Sequence, residues 1–439
     1  MPSLRDGFAV LLGLAVLVAC TRVPTESSQS AKASPDTQGD RPTPAAKASR
    51  ADDLALLTDL IAELHPQPEL ASDGASLDDR AAELAATADS LSDEQLLVEL
   101  MRLLGARDRD GHTGVIPFAQ TDVHAWPLAL YDFEDGMFVM DALPPYEHLI
   151  GAELQSVGAT GLSQVEDALR PLVSGDNEWT VRARLPAYLV IPEILEGLGL
   201  LSGDVPALTF RASDATEIAI DPTPIPIAEF SEWRGLFDPL VPPALPPADA
   251  APHPPDGDEQ FWSDVVRSAL YVAYNRVQGT TRSGRSISDL ATDIDEAVRS
   301  GRAERVVLDV RRNPGGNNGT YGPMLDVLER LSAEIPGSVV VLIGRSTFSA
   351  AGNFVTELRR AAGITLIGEP MGAAPNLYGD ATVRTLPASG VVVHVATREW
   401  TFAPGDEELT VSPDVVVPVR WSDYARGEDL ALDRALQGG

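Results

Sequence analysis

The chain has 439 residues, of which 44% are hydrophobic, and it carries a formal net charge of −32 at pH 7. The length favours two or three structural units, and the hydrophobic fraction is ordinary for a globular protein. So negative a charge disfavours nucleic acid or an anionic membrane surface as a partner, because both would repel the protein, and it weakly favours cationic substrates.

The N-terminus has the pattern of an export signal. Arg5 precedes the apolar run of residues 9–19, which is too short to span a bilayer as a mature helix. The run ends in LVAC, which resembles a bacterial lipobox, and Cys20 is the only cysteine. The resemblance implies cleavage before Cys20 and lipid attachment to it; the alternative is an ordinary secretory peptide. We expect a lipoprotein signal peptide over 1–20 and a protein lipid-anchored in the cell envelope, outside the cytoplasm.

The next two segments differ in composition. Residues 21–50 are rich in Ser, Thr, Pro and Ala, which cannot bury enough apolar surface to fold, so we expect a disordered tether. Residues 51–116 are expected to form an N-terminal helical layer that ends at a histidine motif. A capping box at Ser92 and Gln95 predicts the start of its second helix. The apolar stripe that predicts the first helix consists of Leu54, Leu57, Leu60, Ile61 and Leu64.

The middle of the chain reads as a mixed strand and helix unit. Residues 117–220 contain the strand-like runs LALYDF, GMFVMDAL and ATEIAI, interrupted by one predicted helix at about 162–172. A degenerate PDZ-like module is one form that this unit could take. Residues 221–258 hold many prolines, which disfavour helices and central strands, so a linker or lid is expected there.

The last large segment, 259–425, alternates apolar strands with amphipathic helices. The strands ALYVAYNRV, ERVVLDV, SVVVLIG and ITLIG are continuous apolar runs, which predict an α/β fold whose sheet is covered on both faces. Residues 426–439 are expected to be a C-terminal tail.

Ser349 is the first candidate for chemistry, because it follows the strand VVVLIG and opens a helix. At a helix N-terminus, unpaired N–H groups and the positive end of the helix dipole stabilise the negative charge that develops when a nucleophile reacts. The alternative is that Ser349 is only an N-cap. No lysine occurs beyond Lys47, so a serine nucleophile in the folded part needs another base.

His112, in the segment DRDGHTGV, is the strongest candidate for that base, because an imidazole can accept a hydroxyl proton at neutral pH. For any one histidine, a role in a solvated or capping loop is the competing interpretation. Two adjacent glycines, Gly315 and Gly316, come shortly after the buried strand LDV, in the segment LDVRRNPGG, and permit close backbone approach to a ligand. A simple strand-ending turn is their alternative role.

Together these segments resemble the tail-specific (C-terminal processing) serine peptidase family. The resemblance rests on LDVRRNPGG, TFSAAGNF, GEPMGAAPNLYGD and VSPDVVV, and on the pair His65-Pro66 with DGHTGV. It implies a ClpP/crotonase-like β-α-β core. An alanine, Ala373 or Ala374, stands where one branch of the family has its catalytic lysine. The departure points to the Ser/His branch, which resembles tricorn core protease and nisin-resistance peptidases.

The resemblance also implies roles for single residues. Ser349 would be the nucleophile and His112 the general base, with oxyanion donors from Ala350 and from Gly315 or Gly316. A carboxylate before the Val-Ser-Pro-Asp segment would support the dyad, and Glu407 is preferred to Glu408. Two departures concern residues near these: Gly352 replaces a glutamate three positions after the nucleophile, and Thr410 replaces a glycine.

The function expected from the sequence is that of an exported, lipid-anchored serine endopeptidase that cleaves peptides or proteins through an acyl-enzyme. No cofactor or metal is expected, and the sequence leaves the oligomeric state open. The alternative is a catalytically inert peptide-binding lipoprotein on the same scaffold.

Overall fold

The computed structural model describes residues 48–69, 74, 76–107, 109–201, 203, 205–234 and 260–437. The predicted signal peptide, Cys20 and almost all of the predicted tether lie outside these ranges, as does most of the proline-rich segment.

Three helices form the N-terminal layer: α1 (Arg50–Leu64), α2 (Leu77–Ala85) and α3 (Asp93–Gly105). The predicted stripe of α1 is confirmed at Leu54, Leu57 and Ile61, which are buried. The predicted capping box of α3 is also present, with Ser92 and Gln95 each accepting from the other's backbone N–H. Helix α2 was not predicted, because it buries only two residues and therefore shows no apolar stripe.

The chain then passes His112 and enters a unit of short strands and helices. Its elements are β1 (Gly114–Val115), β2 (His124–Ala125), β3 (Leu128–Phe133), β4 (Gly136–Ala142), β5 (Glu153–Val157), β6 (Thr160–Gly161), α4 (Leu162–Leu169), α5 (Glu178–Tyr188), α6 (Pro192–Gly197), β7 (Leu208–Arg211), β8 (Glu217–Ile220), β9 (Ile225–Pro226) and α7 (Ile227–Arg234). Strands β3, β4, β5, β7 and β8 pair in that order, and β6 pairs with β5.

Two expectations for this region are wrong. Three helices, α4 to α6, interrupt the strands where one was expected, and β9 with α7 occupies residues 225–234, where a linker was expected. In addition, this unit shares one hydrophobic core with α1 and α3. The segments on either side of the expected boundary at residues 116 and 117 are therefore packed as one body.

The C-terminal half forms the α/β core. Its elements are β10 (Phe261–Val266), β11 (Ala269–Tyr274), α8 (Ile287–Arg299), β12 (Arg305–Asp309), α9 (Gly322–Glu334), β13 (Val339–Ile343), α10 (Ala350–Leu358), β14 (Ile364–Gly368), β15 (Asn376–Gly379), β16 (Thr382–Thr385), β17 (Val392–Val395), β18 (Arg398–Thr401), β19 (Val415–Val416), α11 (Trp421–Tyr424) and α12 (Leu430–Gln437). The main sheet has the order β10-β11-β12-β13-β14-β19, with β10 antiparallel to β11 and all other neighbours parallel.

Both faces of this sheet are covered, as the continuous apolar strands predict. Val306, Leu308 and Val341 pack on one face with α8, α9 and α10. Val307 and Val340 pack on the other face with α12. The C-terminal residues are therefore part of the core and not a tail, because α12 buries apolar side chains against the sheet.

A small sheet joins the two halves of the molecule. Strand β17 pairs with β16 on one side and with β1 on the other, and all pairs are antiparallel. In the register of β1, Gly114 lies opposite His394, and Val115 lies opposite Val393. The segment that carries His112 is thereby attached to the C-terminal half. Among the described residues, no helix is both long and apolar enough to span a bilayer.

Candidate active site

Ser349 lies between β13 and α10, at the N-cap position of the helix. Its backbone angles, φ 53° and ψ −128°, fall in a region that residues other than glycine rarely adopt. Its side chain makes no capping hydrogen bond, so the interpretation of Ser349 as a simple N-cap is wrong. The turn instead leaves the hydroxyl group able to face another part of the chain.

His112 is brought to the same place by contacts of the residues that surround it. Strand β1, two residues after His112, pairs with β17, and the Ala396 N–H donates to Thr113 Oγ1 at 3.0 Å. Asp110 Oδ1 accepts from the backbone N–H groups of His112 and Thr113 at 3.2 and 2.9 Å. These bonds fix the loop that presents the imidazole.

The two predicted groups meet. His112 Nε2 lies 3.0 Å from Ser349 Oγ, although the residues are 237 positions apart in the chain. In the tautomer with the proton on Nδ1, the serine hydroxyl donates to Nε2. The imidazole also stacks on Phe348, with ring centroids 4.7 Å apart and an interplanar angle of 17°. We call His112 and Ser349 the dyad.

The surroundings keep the imidazole of His112 neutral. Burial lowers its pKa first, and the positive charge of Arg184 lowers it further, whereas Asp110 opposes both; the result is a pKa of about 4. At neutral pH this imidazole is therefore unprotonated and can accept a proton.

Asp110 anchors the base loop to the N-terminal layer. Its Oδ2 lies 3.0 Å from Arg107 Nε and 3.1 Å from His65 Nε2, and all three side chains are buried. Burial opposes ionisation of Asp110, but its close contact with His65 and the positive charge of Arg107 hold its pKa well below the usual range. His65, part of the histidine-proline pair in the sequence, thus lies beneath the site without touching the dyad.

The double glycine lies against the nucleophile. A Cβ at Gly315 would be 2.6 Å from Ser349 Cβ and 3.1 Å from the Ala350 backbone nitrogen, and Gly315 has φ 113°. A side chain is therefore excluded both by space and by conformation. At Gly316 a Cβ would be 2.1 Å from the Val277 carbonyl oxygen.

The predicted oxyanion donors differ in what they contact. The Gly315 N–H donates to Asn313 Oδ1 at 3.0 Å, so it is already engaged and does not fit the predicted role as it stands. The Ala350 N–H belongs to the first turn of α10, where no acceptor exists within the helix. Ala350 therefore stays a predicted oxyanion donor, and its place at the start of α10 is compatible with that role.

Glu407 lies away from the dyad. Its side chain is exposed in the segment after β18, and no contact between it and the dyad occurs within the described ranges. The neighbouring Asp406 forms an ion pair with Arg359, which also attracts Glu408 at 3.7 Å. These pairs tie the acidic segment to the end of α10, so the structure gives Glu407 and Glu408 no role at the dyad.

Two small residues pack against each other behind the nucleophile. Ala373 is fully buried, and its backbone N–H donates to the Thr347 carbonyl oxygen at 3.2 Å. A Cβ at Gly352 would lie 2.2 Å from Ala373 Cβ. The position of Gly352 therefore has no room for a side chain as long as Ala373 stays in place.

Several residues of the site were missed in the sequence. Asp176 accepts from the Gly111 N–H at 2.8 Å and from the Ala374 N–H at 3.1 Å, and Arg184 contacts the ring of Phe348. Asn177 caps α5 through the N–H groups of residues 179 and 180. That cap was the available signal, because Asn before a run of helix formers predicts a helix start.

The described part of the chain has no group of three or more His, Cys, Asp or Glu side chains that could hold a metal ion.

The fold and the dyad define an α/β protein with a serine and a histidine at the carboxyl end of a parallel strand. No family model and no curated protein sequence matches this chain. Solved structures do match it. CPAF complexed with lactacystin has 14% identity and a TM-score of 0.60, over 88% of this chain and 96% of that chain. Mature CPAF has 13% identity and a TM-score of 0.61, over 88% and 95%.

CPAF is a serine peptidase of the tail-specific family, which is also the family that the sequence motifs resemble. At these identities the likeness shows the fold, and it confirms the predicted α/β class.

Proposed function

We propose that this protein is an exported, lipid-anchored serine endopeptidase, with Ser349 as nucleophile and His112 as general base. The observation that carries the proposal is the 3.0 Å contact between His112 Nε2 and Ser349 Oγ. It is supported by the strained backbone of Ser349 and by the absence of a capping bond from its side chain. Such strain persists where the surrounding structure enforces it, which is common at functional sites.

The proposed reaction begins when His112 Nε2 takes the hydroxyl proton as Ser349 Oγ bonds to a peptide carbonyl carbon. The tetrahedral adduct collapses, the C–N bond breaks, and His112 returns the proton to the departing amine. A water molecule then attacks the acyl-enzyme while His112 takes its proton. The ester bond breaks, and the proton returns to Ser349 Oγ.

The carbonyl oxygen becomes negatively charged in each half of this reaction. The Ala350 N–H at the start of α10 is the donor that we propose for it, because the helix N-terminus also places positive dipole charge there. The Gly315–Gly316 turn would permit close approach of the substrate backbone, because it lies against Ser349 without side chains.

Covalent labelling tests this proposal. A fluorophosphonate should react with the wild-type protein once, on the peptide that contains Ser349, and S349A should not react. Mass spectrometry of the intact protein and of its peptides measures both results. Lactacystin, the compound bound in one CPAF structure, can be added as a competitor. Equal labelling of the wild type and S349A would refute the peptidase proposal.

An inert peptide-binding lipoprotein on the same scaffold is the second candidate. Two observations favour it: His112 Nδ1 has no hydrogen-bond partner among the described residues, and the predicted Glu407 is exposed. The labelling experiment separates the two candidates, because a binding protein would bind peptides without forming an adduct at Ser349.

The membrane anchor is a separate part of the proposal and rests on the LVAC sequence that ends at Cys20. Wild-type protein from a bacterial host should partition into detergent, whereas C20S should partition into water. Mass spectrometry of the N-terminal peptide should find lipid on Cys20. Recovery of the wild type in the aqueous phase, without lipid, would indicate an ordinary secretory peptide.

A further inference from the structure

The residue before His112 is held at both of its backbone polar groups by side chains from one other segment. The Gly111 N–H donates to Asp176 Oδ1 at 2.8 Å, and the Gly111 carbonyl oxygen accepts from Arg184 Nη1 at 3.0 Å. Asp176 precedes α5 and Arg184 lies within it. A shift of either side chain would therefore move the peptide unit from which the imidazole of His112 extends.

The same two side chains also reach the other walls of the site. Asp176 Oδ2 accepts from the Ala374 N–H at 3.1 Å, in the segment that closes over Gly352. The Arg184 guanidinium carbon lies 4.8 Å from the ring centroid of Phe348, the aromatic residue that precedes the nucleophile. Arg184 is thus linked to His112 through Gly111 and to Ser349 through Phe348. Phe348 also stacks on the imidazole of His112.

Placing these charges inside the protein is unfavourable unless they are well paired. Asp176 is only 2% exposed, and an isolated buried carboxylate is strongly disfavoured. Burial raises the pKa of Asp176 to about 7, although both of its oxygens accept backbone bonds and the charge of Arg184 lies close by. Arg184 in turn donates to the Ser174 carbonyl oxygen at 2.6 Å. Each of the two side chains thus fixes a segment of backbone around the dyad.

We propose that Asp176 and Arg184 are positioning residues that hold His112 against Ser349, and that the charge of Arg184 sets how readily His112 accepts a proton. This inference rests on the proposed function, because it concerns the same dyad. It adds Asp176, which precedes α5, and Arg184, which lies in α5, to a site otherwise formed by the segments around His112 and Ser349.

Other charged groups around the imidazole act in both directions. Burial lowers the pKa of His112, as do Arg184 and His394, and Asp110 raises it. The groups that face His112 or the peptide before it are Asp110 from its own loop, Asp176 and Arg184 from the α5 segment, and His394 from β17. Removal of the Arg184 charge alone should therefore make His112 easier to protonate.

Three variants of the full chain separate charge from hydrogen bonding. R184Q keeps a donor near Gly111 but removes the charge, whereas R184K keeps the charge but lacks the planar guanidinium. R182Q is the matched control, because residues two apart on a helix point in nearly opposite directions. Arg182 pairs with Asp132 instead of the site. The fluorophosphonate labelling rate of Ser349 is measured for each protein between about pH 3 and pH 9, a range that extends below the His112 pKa of about 4 and above the ordinary histidine value.

R184Q should label up to about 100-fold more slowly, since a displacement of about 1 Å at a catalytic group has an effect of that size. The midpoint of its acid limb should move to higher pH. R184K should also be slower than the wild type, but its midpoint should stay at the wild-type pH. R182Q should match the wild type in both rate and midpoint. If α5 affected the site only through the general stability of the helix, R182Q would change the labelling rate as well.

Two results would overturn the inference: an R184Q profile identical to the wild type, or an R182Q profile that changes as much as that of R184Q. If circular dichroism shows that R184Q does not fold, R184K decides, and a wild-type labelling rate for it would remove the positioning role. Lack of labelling of the wild type would instead refute the proposed function. The two failures are thus distinguishable.

Discussion

At the scale of single residues, Ser349 combines two unfavourable choices. Its positive φ has a cost of about 1–3 kcal/mol, and it forgoes a capping bond that is typically worth about 1 kcal/mol to a helix. The turn around it is held by other groups, among them Thr347, whose hydroxyl donates to the Val310 carbonyl oxygen at 2.9 Å. The fold thus holds Ser349 so that its hydroxyl contacts the imidazole of His112 and does not cap the helix.

Removal of the His112 imidazole should strongly lower the reactivity of Ser349 without unfolding the protein. We expect H112Q to reduce the fluorophosphonate labelling rate of Ser349 by about 10²–10⁴, the usual contribution of a general base. H124Q is the control, because His124 is exposed and pairs with Glu193 at 2.7 Å. Equal rates for H112Q and the wild type would mean that His112 is not the base.

The low pKa of His112 leads to a prediction about pH. The base must be unprotonated to act, so protonation of His112 should lower the labelling rate only as the pH approaches its pKa of about 4. An ordinary histidine would lose half of its activity near pH 6.5. Stopped labelling at a series of pH values measures the midpoint. A midpoint near the ordinary value would show that water reaches the imidazole freely.

At the scale of elements, α10 packs against the segment that follows β14 without space between them. The Ala373 methyl group occupies the position that a Cβ at Gly352 would need. This contact explains why Gly352 and Ala373 are both small. It also places the start of α10, and with it Ser349 and the Ala350 N–H, at a fixed distance from the neighbouring backbone.

G352A should therefore be destabilising. Overpacking of this kind typically has a cost of about 1–3 kcal/mol, which exceeds the gain of up to about 1 kcal/mol from replacing a helical glycine by alanine. G322A, in α9, is the matched control, because nothing lies within 4 Å of its new methyl group. Chemical denaturation measures both. A G352A protein as stable as the wild type would show that α10 can shift away from Ala373.

Helix α12 offers a second test of packing. Leu432 is 4% exposed and covers the sheet, whereas Leu430 in the same helix is 45% exposed. L432A should lower the free energy of unfolding by about 2–5 kcal/mol, and L430A by less than about 0.5 kcal/mol. Equal effects in thermal or chemical unfolding would mean that α12 is a loosely attached tail, as the sequence suggested.

The sequence predicts best those helices and strands whose buried side chains are apolar. Strands β11 to β14 appear as nearly continuous apolar runs, because both faces of their sheet are covered, and helix α8 has a clear apolar face. Helix α5 was missed because it contains Pro186 and because its arginines, which read as solvent-exposed, bind backbone groups of the site. A pattern of apolar residues does not reveal a helix whose buried contacts are polar.

For a similar reason, only part of the site could be predicted from the sequence. The serine, the histidine and the double glycine lie in short motifs, which a sequence displays directly. The carboxylates around them depend on pairings between distant segments, and no local pattern indicates which acid faces inward. Glu407, which is exposed, was therefore predicted as the supporting carboxylate, whereas the buried Asp110 and Asp176 were not.

At the scale of the whole molecule, the dyad depends on contact between the two ends of the chain. The short β1 strand adds only two residues to β17, so the attachment rests mainly on buried side chains near it. Asp110, with Arg107 and His65, holds the base loop on the N-terminal side. His394 lies on the C-terminal side, directly opposite Gly114, and is 3% exposed.

His394 should make the attachment of the two halves sensitive to acid. Burial first, and the charge of Arg184 second, lower its pKa to about 4. Above the unfolded-state pKa of about 6.5 both states are neutral, and the group has no effect on stability. As the pH falls from there to about 4, only the unfolded state binds the proton. The free energy of unfolding should therefore drop by on the order of 3 kcal/mol from this group.

H394L and H394Q both remove the titrating group, so both should lose less stability than the wild type between pH 7 and about pH 4. H394L should also be at least as stable as the wild type at pH 7, because His394 Nε2 is buried without a partner among the described residues. Urea unfolding at several pH values measures the difference. Wild-type pH dependence in both variants would mean that His394 is already solvated in the folded protein, and that the junction of β1 and β17 is open to water.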